Sequence, residues 1–253
     1  MKTYQIHLIR CGLTDANLNG RYIGRTNVPL SADSMAELRR LHEQGGYPAA
    51  EAYYTSPRLR CIQTMNLLYP GEDCYEVPGL DEINFGDWEG KNAAELKHDP
   101  DFEKWLNHSA DVTPPNGESV GDMYERVCRT FGMIADGMIH SGCSSAVIVT
   151  HGGVISYLLA AYGLPEASFY DWMTAPGHGY SLRLQPSLWM SNRKAEVFRM
   201  LPVGQSEPDG AQSAMALGRE AAERSFGLTR PGDDEIDRSE WEPYAHRPDD
   251  DNA

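Results

Sequence analysis

Two short apolar runs, each stopping at a glycine, constrain this chain more than any other feature. Tyr4-Gln5-Ile6-His7-Leu8-Ile9 leads into Arg10-Cys11-Gly12, and Ser145-Ala146-Val147-Ile148-Val149-Thr150 leads into His151-Gly152-Gly153. Short apolar runs bounded by Gly or Ser suit central strands of a parallel sheet, which are buried on both faces. Residues 51–55 make a third candidate, and residues 179–184 and 195–201 read as later strands toward a sheet edge. Between the runs the apolar spacing turns helical over 33–44, 58–69, 119–140 and 153–162. The first of these helices is expected to start at Ser31, and the third at Glu118-Ser119 behind Pro114-Pro115. Such alternation predicts an α/β three-layer sandwich, with a mostly parallel central sheet and helices on both faces. In sheets of this kind ligands bind outside the carboxyl ends of the strands, where Cys11 and His151 fall.

Composition narrows the partners. The formal net charge of −15 over 253 residues argues against nucleic acid and anionic membrane, both of which need basic patches. It is compatible with a small anionic substrate, because a few clustered arginines make a local positive pocket. No apolar stretch approaches the ~20 residues of a membrane span, and the N-terminus enters a strand with no secretory signal. Five cysteines without C-x-x-C spacing read as reduced thiols, so a cytoplasmic protein is expected. From Val203 onward thirteen acidic residues face five basic ones, a balance of −8, with four prolines and few aliphatics. Residues 1–204 are therefore read as the folded domain and 205–253 as an acidic tail, disordered in part or docked, with a short helix allowed at 211–226. A homodimer is allowed by the sequence, though no residue argues for it.

The chemistry sits in five segments. They are Arg10-Cys11-Gly12 with Leu13-Thr14-Asp15-Ala16-Asn17; Gly20 to Ser31; Thr55-Ser56-Pro57-Arg58-Leu59-Arg60-Cys61; Leu80-Asp81-Glu82-Ile83-Asn84-Phe85-Gly86-Asp87-Trp88-Glu89-Gly90; and Thr150-His151-Gly152-Gly153. In that order, over roughly residues 3–185, they resemble the motifs of the histidine phosphatase superfamily, the phosphoglycerate mutase-like enzymes. The wording around 20–31 and 80–90 is most similar to its α-ribazole phosphatase branch. One core position departs from the pattern: Cys11 stands where the family carries its nucleophilic histidine. The resemblance implies a phosphoglycerate mutase-like fold and a phosphomonoester hydrolase acting on a small phosphorylated metabolite. An α-ribazole phosphate-like compound, a sugar phosphate and a phosphoglycerate all fit it. No cofactor and no metal is implied.

The residue types also make sense together. Arg10 and Arg60 each offer planar bidentate donors to phosphate oxygens. Asn17 adds a neutral donor, the backbones at Gly12 and Gly152 allow close approach, and Thr14 is counted with the same substrate-binding set. His151 can stabilise charge on a transferring phosphoryl group. Glu82 can give a proton to the leaving alcohol and then take one from water. Each residue has a plainer reading alone: a surface ion pair for Arg10, a helix cap for His151, a solvated loop charge for Glu82. Arg58 and Arg21 are weaker rim candidates, and Trp88 and Tyr22 either border the site or fill the core. His7, His42, His98, His108 and His140 read as structural or surface residues, and His178 as a residue near the pocket mouth.

Cys11 divides the functional expectation. A thiolate is a competent phosphoryl acceptor, and neighbouring arginines with His151 would lower its pKa from about 8.5. Its sulfur, however, ends ~2 Å short of a histidine's far nitrogen, where a 1 Å error can cost ~100-fold. The chain is then either a hydrolase weakened by Cys11 or a phosphate-binding relative without turnover. A metal site from Cys11, His151 and Glu82 uses good zinc ligands, but two adjacent arginines disfavour it. A thiolate here is also prone to oxidation, with Cys61 as the thiol placed to resolve it.

Overall fold

The computed structural model describes residues 2–107 and 112–204. The acidic tail, its 211–226 helix and His108 lie outside the described residues. Along the chain run β1 (Tyr4–Arg10), α1 (Asp15–Leu18), α2 (Ala32–Gln44), β2 (Ala52–Thr55), α3 (Leu59–Leu68), β3 (Tyr75–Glu76), α4 (Ala93–Leu96) and α5 (Pro100–Asn107). They are followed by α6 (Val120–Ser141), β4 (Ser145–Thr150), α7 (Gly152–Tyr162), β5 (Gly163–Leu164), β6 (Gly179–Leu184), α8 (Pro186–Asn192) and β7 (Ala195–Leu201).

The strands form one sheet in the order β3-β2-β4-β1-β6-β7-β5. The first four are parallel to one another, β6 runs antiparallel to both β1 and β7, and β5 is parallel to β7. The sequence expectation of a mostly parallel sheet is met, and the structure adds that β6 runs antiparallel to its neighbours.

Period-two alternation splits the core between the two faces. Ile6 and Leu8 of β1 and Ala146 and Ile148 of β4 face the cluster that contains Val127 and Phe131 of α6 and Leu158 of α7. Ile9 and Cys11 with Val147 and Val149 face the other way, onto Leu38 of α2 and Met65 and Leu68 of α3. Each of these large side chains contributes roughly 1.5–3 kcal/mol on burial. Helices thus cover both faces, and Cys11 falls on the same face as Cys61 of α3.

Caps define the helix starts. Ser31 accepts from the Ser34 N–H ahead of α2, and Ser119 from the Asp122 N–H ahead of α6, as the sequence suggested. The four-residue helices α1 and α4 were invisible to periodicity, because one turn has no repeat. Each is held by a capping box, Thr14 with Asn17 and Asn92 with Glu95.

Candidate active site

Three parallel strands deliver one polar side chain each, at the first residue past the strand end. Cys11 follows β1, Ser56 follows β2 and His151 follows β4. Arg10 pairs with Thr150 across the β1–β4 ladder, which puts Cys11 and His151 side by side at the sheet edge. Their contact is direct, with Cys11 Sγ 3.7 Å from His151 Nδ1.

The His151 ring is oriented from behind. Its Nε2 lies 2.9 Å from Ser56 Oγ, and the Ser56 hydroxyl donates to Asp81 Oδ1 at 2.7 Å. Because that hydroxyl spends its hydrogen on the carboxylate, it accepts from His151, so Nε2 carries a hydrogen and Nδ1 faces the sulfur. Asp81 is clamped in turn by Arg58, whose Nε is 3.0 Å from Oδ1 and Nη2 3.0 Å from Oδ2. Arg58 is thus committed to Asp81 behind the site, and Arg21 to Glu95 and the Gly90 carbonyl. Tyr22 and Trp88 pack edge-on with Phe102 and Trp105, so the core-filling reading of these aromatics is the one the structure shows.

The cleft over Cys11 opens to solvent with about 370 Å³ of space, lined by Arg10, Asn17, Arg60, Glu82, His151 and the Gly12 and Gly152 backbones, together with Leu13, Ile23 and Gly153. Arg10 is buried and donates through Nη1 to the Thr174 carbonyl. Gly152 leaves room for it, since a Cβ there would meet Arg10 Nε at 3.1 Å. Arg60 donates to the carbonyls of Gly24 at 2.6 Å and Thr26 at 3.1 Å. The same loop hangs on Glu89, whose carboxylate accepts from the N–H groups of Gly24, Arg25, Thr26 and Phe85.

Asn17 Oδ1 accepts from the Thr14 backbone and hydroxyl at 3.1 and 2.9 Å, which leaves its amide nitrogen for a ligand. Thr14 itself is not part of the lining; it holds Asn17 in place. Gly12 lines the cleft, but its N–H is spent on Thr64 Oγ1 at 3.0 Å. Glu82 accepts at Oε1 from Ile83 N at 3.1 Å and at Oε2 from Gly153 N at 3.3 Å, which ties it to the first turn of α7. Gly152 and Gly153 line the cleft, so the positive dipole end of α7 lies beside it.

Cys61 is buried outside the cleft lining, with its sulfur 3.7 Å from Nδ1 and 3.6 Å from Nε2 of His151. A hydrogen bond from the Cys61 thiol, helped by the His151 imidazole and the Arg60 guanidinium and opposed by burial, holds the Cys11 thiol well below its ordinary value. Burial, with the Cys11 sulfur beside it, pushes the Cys61 thiol up. Within the pair the Cys61 thiol is the hydrogen-bond donor and the Cys11 sulfur the acceptor.

His7, His42, His98 and His140 are structural or surface residues as expected, whereas His178, expected near the pocket mouth, is absent from the lining. His7 is buried against Ser181 Oγ at 2.9 Å, while His42, His98 and His140 are exposed. His178 is buried outside the lining; its carbonyl accepts from Arg10 N at 2.8 Å, so it supports the strand end.

Residues 6–195 match the family model described as histidine phosphatase superfamily (branch 1). The chain belongs to that superfamily. Among its relatives, the adenosylcobalamin/alpha-ribazole phosphatase of Salmonella typhimurium is 29% identical over 178 residues, covering 68% of this chain and 87% of that protein. A 2,3-bisphosphoglycerate-dependent phosphoglycerate mutase 2 of Gloeobacter violaceus is 28% identical over 60% of this chain and 72% of its own length. In three dimensions an alpha-ribazole phosphatase from Shigella flexneri superposes with a TM-score of 0.67 at 25% identity, covering 80% of this chain and 100% of that one. A phosphoglycerate mutase from Thermus thermophilus gives 0.57 at 30% identity, covering 78% and 98%. This member of the superfamily keeps a phosphatase-type cleft with cysteine at the end of β1. Among the described residues no helix is long and apolar enough to cross a membrane.

Cys11, Arg10, Asn17, Arg60, Glu82 and His151 meet in one cleft, as their sequence motifs led us to expect, whereas Ser56 and Asp81 were passed over. A positional signal was present. Ser56 is the residue after β2, as Cys11 is after β1 and His151 after β4.

Proposed function

We propose that this protein is a phosphomonoester hydrolase for a small phosphorylated metabolite, with Cys11 as phosphoryl acceptor. The reading is carried by one observation: the Cys11 sulfur lies 3.7 Å from an oriented His151, in a cleft lined by two arginines. The guanidinium groups of Arg10 and Arg60, the Asn17 amide and the start of α7 receive the phosphate oxygens. The thiolate attacks phosphorus as the ester P–O bond breaks, and Glu82 supplies a proton to the departing alcohol. Water then attacks the S–P bond, Glu82 takes its proton, and phosphate leaves with the thiolate restored. His151 steadies the charge on the transferring group. The relatives' names favour an α-ribazole phosphate-like ester, ahead of a phosphoglycerate or a sugar phosphate.

A second reading, phosphate binding without turnover, is favoured by the shortness of the cysteine and by the commitment of its sulfur to Cys61 and His151. Hydrolysis of an aryl phosphate decides between them. The hydrolase reading expects turnover by the native protein, its loss in Cys11→Ser, and one added phosphoryl group in the intact mass of acid-quenched samples. Restoring the longer nucleophile with Cys11→His should raise turnover by about 100-fold. An inert native protein that still binds inorganic phosphate, beside an active Cys11→His, would overturn the hydrolase reading. Failure of every variant to bind phosphate would overturn both.

A further inference from the structure

We propose that Cys11, Cys61 and His151 form a binding site for a thiophilic cation, Zn²⁺ in the first instance, at the floor of the cleft. Their ligand atoms, all buried, lie within 4.8 Å of one another, and no other such group of His, Cys, Asp and Glu occurs among the described residues. The edges already approach those of a tetrahedral site. Zinc bonds of about 2.3 Å to sulfur and about 2.0–2.1 Å to nitrogen place S and N roughly 3.5–3.6 Å apart. Both sulfurs stand 3.7 Å from His151 Nδ1.

The imidazole is prepared as a ligand. Its Nε2 is tied through Ser56 to Asp81, the arrangement that fixes the tautomer and turns the lone pair of the other nitrogen toward a metal. Cys61 makes the one adjustment. Being also 3.6 Å from Nε2, its sulfur stands over the ring face, and it must turn about its Cα–Cβ bond toward Nδ1 to share an ion with Cys11.

Charge favours the complex despite the arginines. Two thiolates cancel a divalent ion, so Arg10 and Arg60 face a neutral centre rather than a bare cation. The fourth position opens to the cleft, where an anionic ligand such as phosphate would meet both guanidinium groups. Glu82, offered as a ligand by the sequence, is held instead by Ile83 and Gly153. The site does not depend on turnover. It competes with it, since an ion on the Cys11 sulfur draws off its negative charge and weakens it as a nucleophile toward phosphorus.

The test is a titration of the reduced, metal-free full chain with Co²⁺, followed by displacement with Zn²⁺. We expect one Co²⁺ per chain, sulfur-to-cobalt charge-transfer absorption in the near ultraviolet with tetrahedral visible bands, and bleaching by one equivalent of Zn²⁺. Cys11→Ser and Cys61→Ser should each lose more than ~100-fold in affinity, and Ser56→Ala about 10–100-fold. Cys74→Ser should change nothing. Zn²⁺ should also protect Cys11 and Cys61 of the native protein from alkylation, read by peptide mass, which needs no variant to fold. Absence of the charge-transfer band, its survival in both Cys11→Ser and Cys61→Ser, or alkylation unaffected by Zn²⁺ would overturn the proposal.

Discussion

The ends of β1 and β4 are built to one plan and finished differently. Both strands are central and parallel, their last residues pair in register, and each passes through one functional residue into a glycine. At the β4 end the residue is His151, backed by a chain of hydrogen bonds through Ser56 to Asp81. At the β1 end it is Cys11, whose sulfur takes a hydrogen bond from the Cys61 thiol. A long side chain needs a bracket to hold its ring in one orientation. A short one is fixed by its own backbone and needs only a donor for its charge. The superfamily's pair of histidines has become a pair of unlike groups, one oriented and one polarised.

The comparison can be broken most severely at His151. Replacement by Ala should cut aryl-phosphate turnover by about 10²–10³-fold, as for loss of a group that stabilises transition-state charge. A change of less than tenfold would mean that the bracket serves only the fold.

A second asymmetry lies one layer deeper, where His7 of β1 sits opposite Val147 of β4. Burial, then the charge of Arg199, lowers the His7 pKa from 6.5 to about 4. At pH 7 both folded and unfolded chains hold it neutral. Between 6.5 and 4 the unfolded chain takes up a proton that the folded one refuses, so stability falls with pH, by up to about 3 kcal/mol. Denaturant melts of the native protein and His7→Gln, compared at pH 7 and 4.5, should show a shallower loss in the variant. Parallel losses would remove His7 from the account.

The two glycines then separate the strand ends by function. A Cβ at Gly12 would meet Ser34 Oγ at 2.4 Å and Leu30 Cδ2 at 2.8 Å, so Gly12→Ala should cost about 1–3 kcal/mol in an unfolding measurement. The atoms nearest a Cβ at Gly152 all belong to the Arg10 side chain, at 3.1 Å and beyond. Gly152→Ala should therefore melt within about 1 kcal/mol of the native protein and bind inorganic phosphate several-fold less tightly by calorimetry. Equal destabilisation by both changes would erase the distinction.

Much of this was legible in the residues. The apolar runs 4–9 and 145–150 became the two central strands, and 179–184 and 195–201 became β6 and β7. Sustained periodicity revealed α2, α3, α6 and α7 to within a residue or two. What escaped had no period to show: single-turn helices made by caps, and the two-residue strands β3 and β5. In the cleft, charge and motif order announced Arg10, Arg60, Glu82 and His151. Ser56 and Asp81 stayed hidden because they act on another side chain, and that dependence exists only once β2 lies beside β4. Thr14, read with the substrate-binding residues, lies outside the cleft lining and donates to Asn17 Oδ1 from its backbone and hydroxyl.

Arg60 has one more consequence. Its guanidinium ties α3 to the carbonyls of Gly24 and Thr26, in the loop that Glu89 gathers by its backbone. The cleft wall is thus assembled before any ligand arrives, and the arginine works as a tie-rod as well as a ligand hook. A descendant that abandoned chemistry would still be obliged to keep it in order to stay folded around the cleft. Position 11 carries no such tie: its side chain packs onto α2 and α3 without bracing a loop.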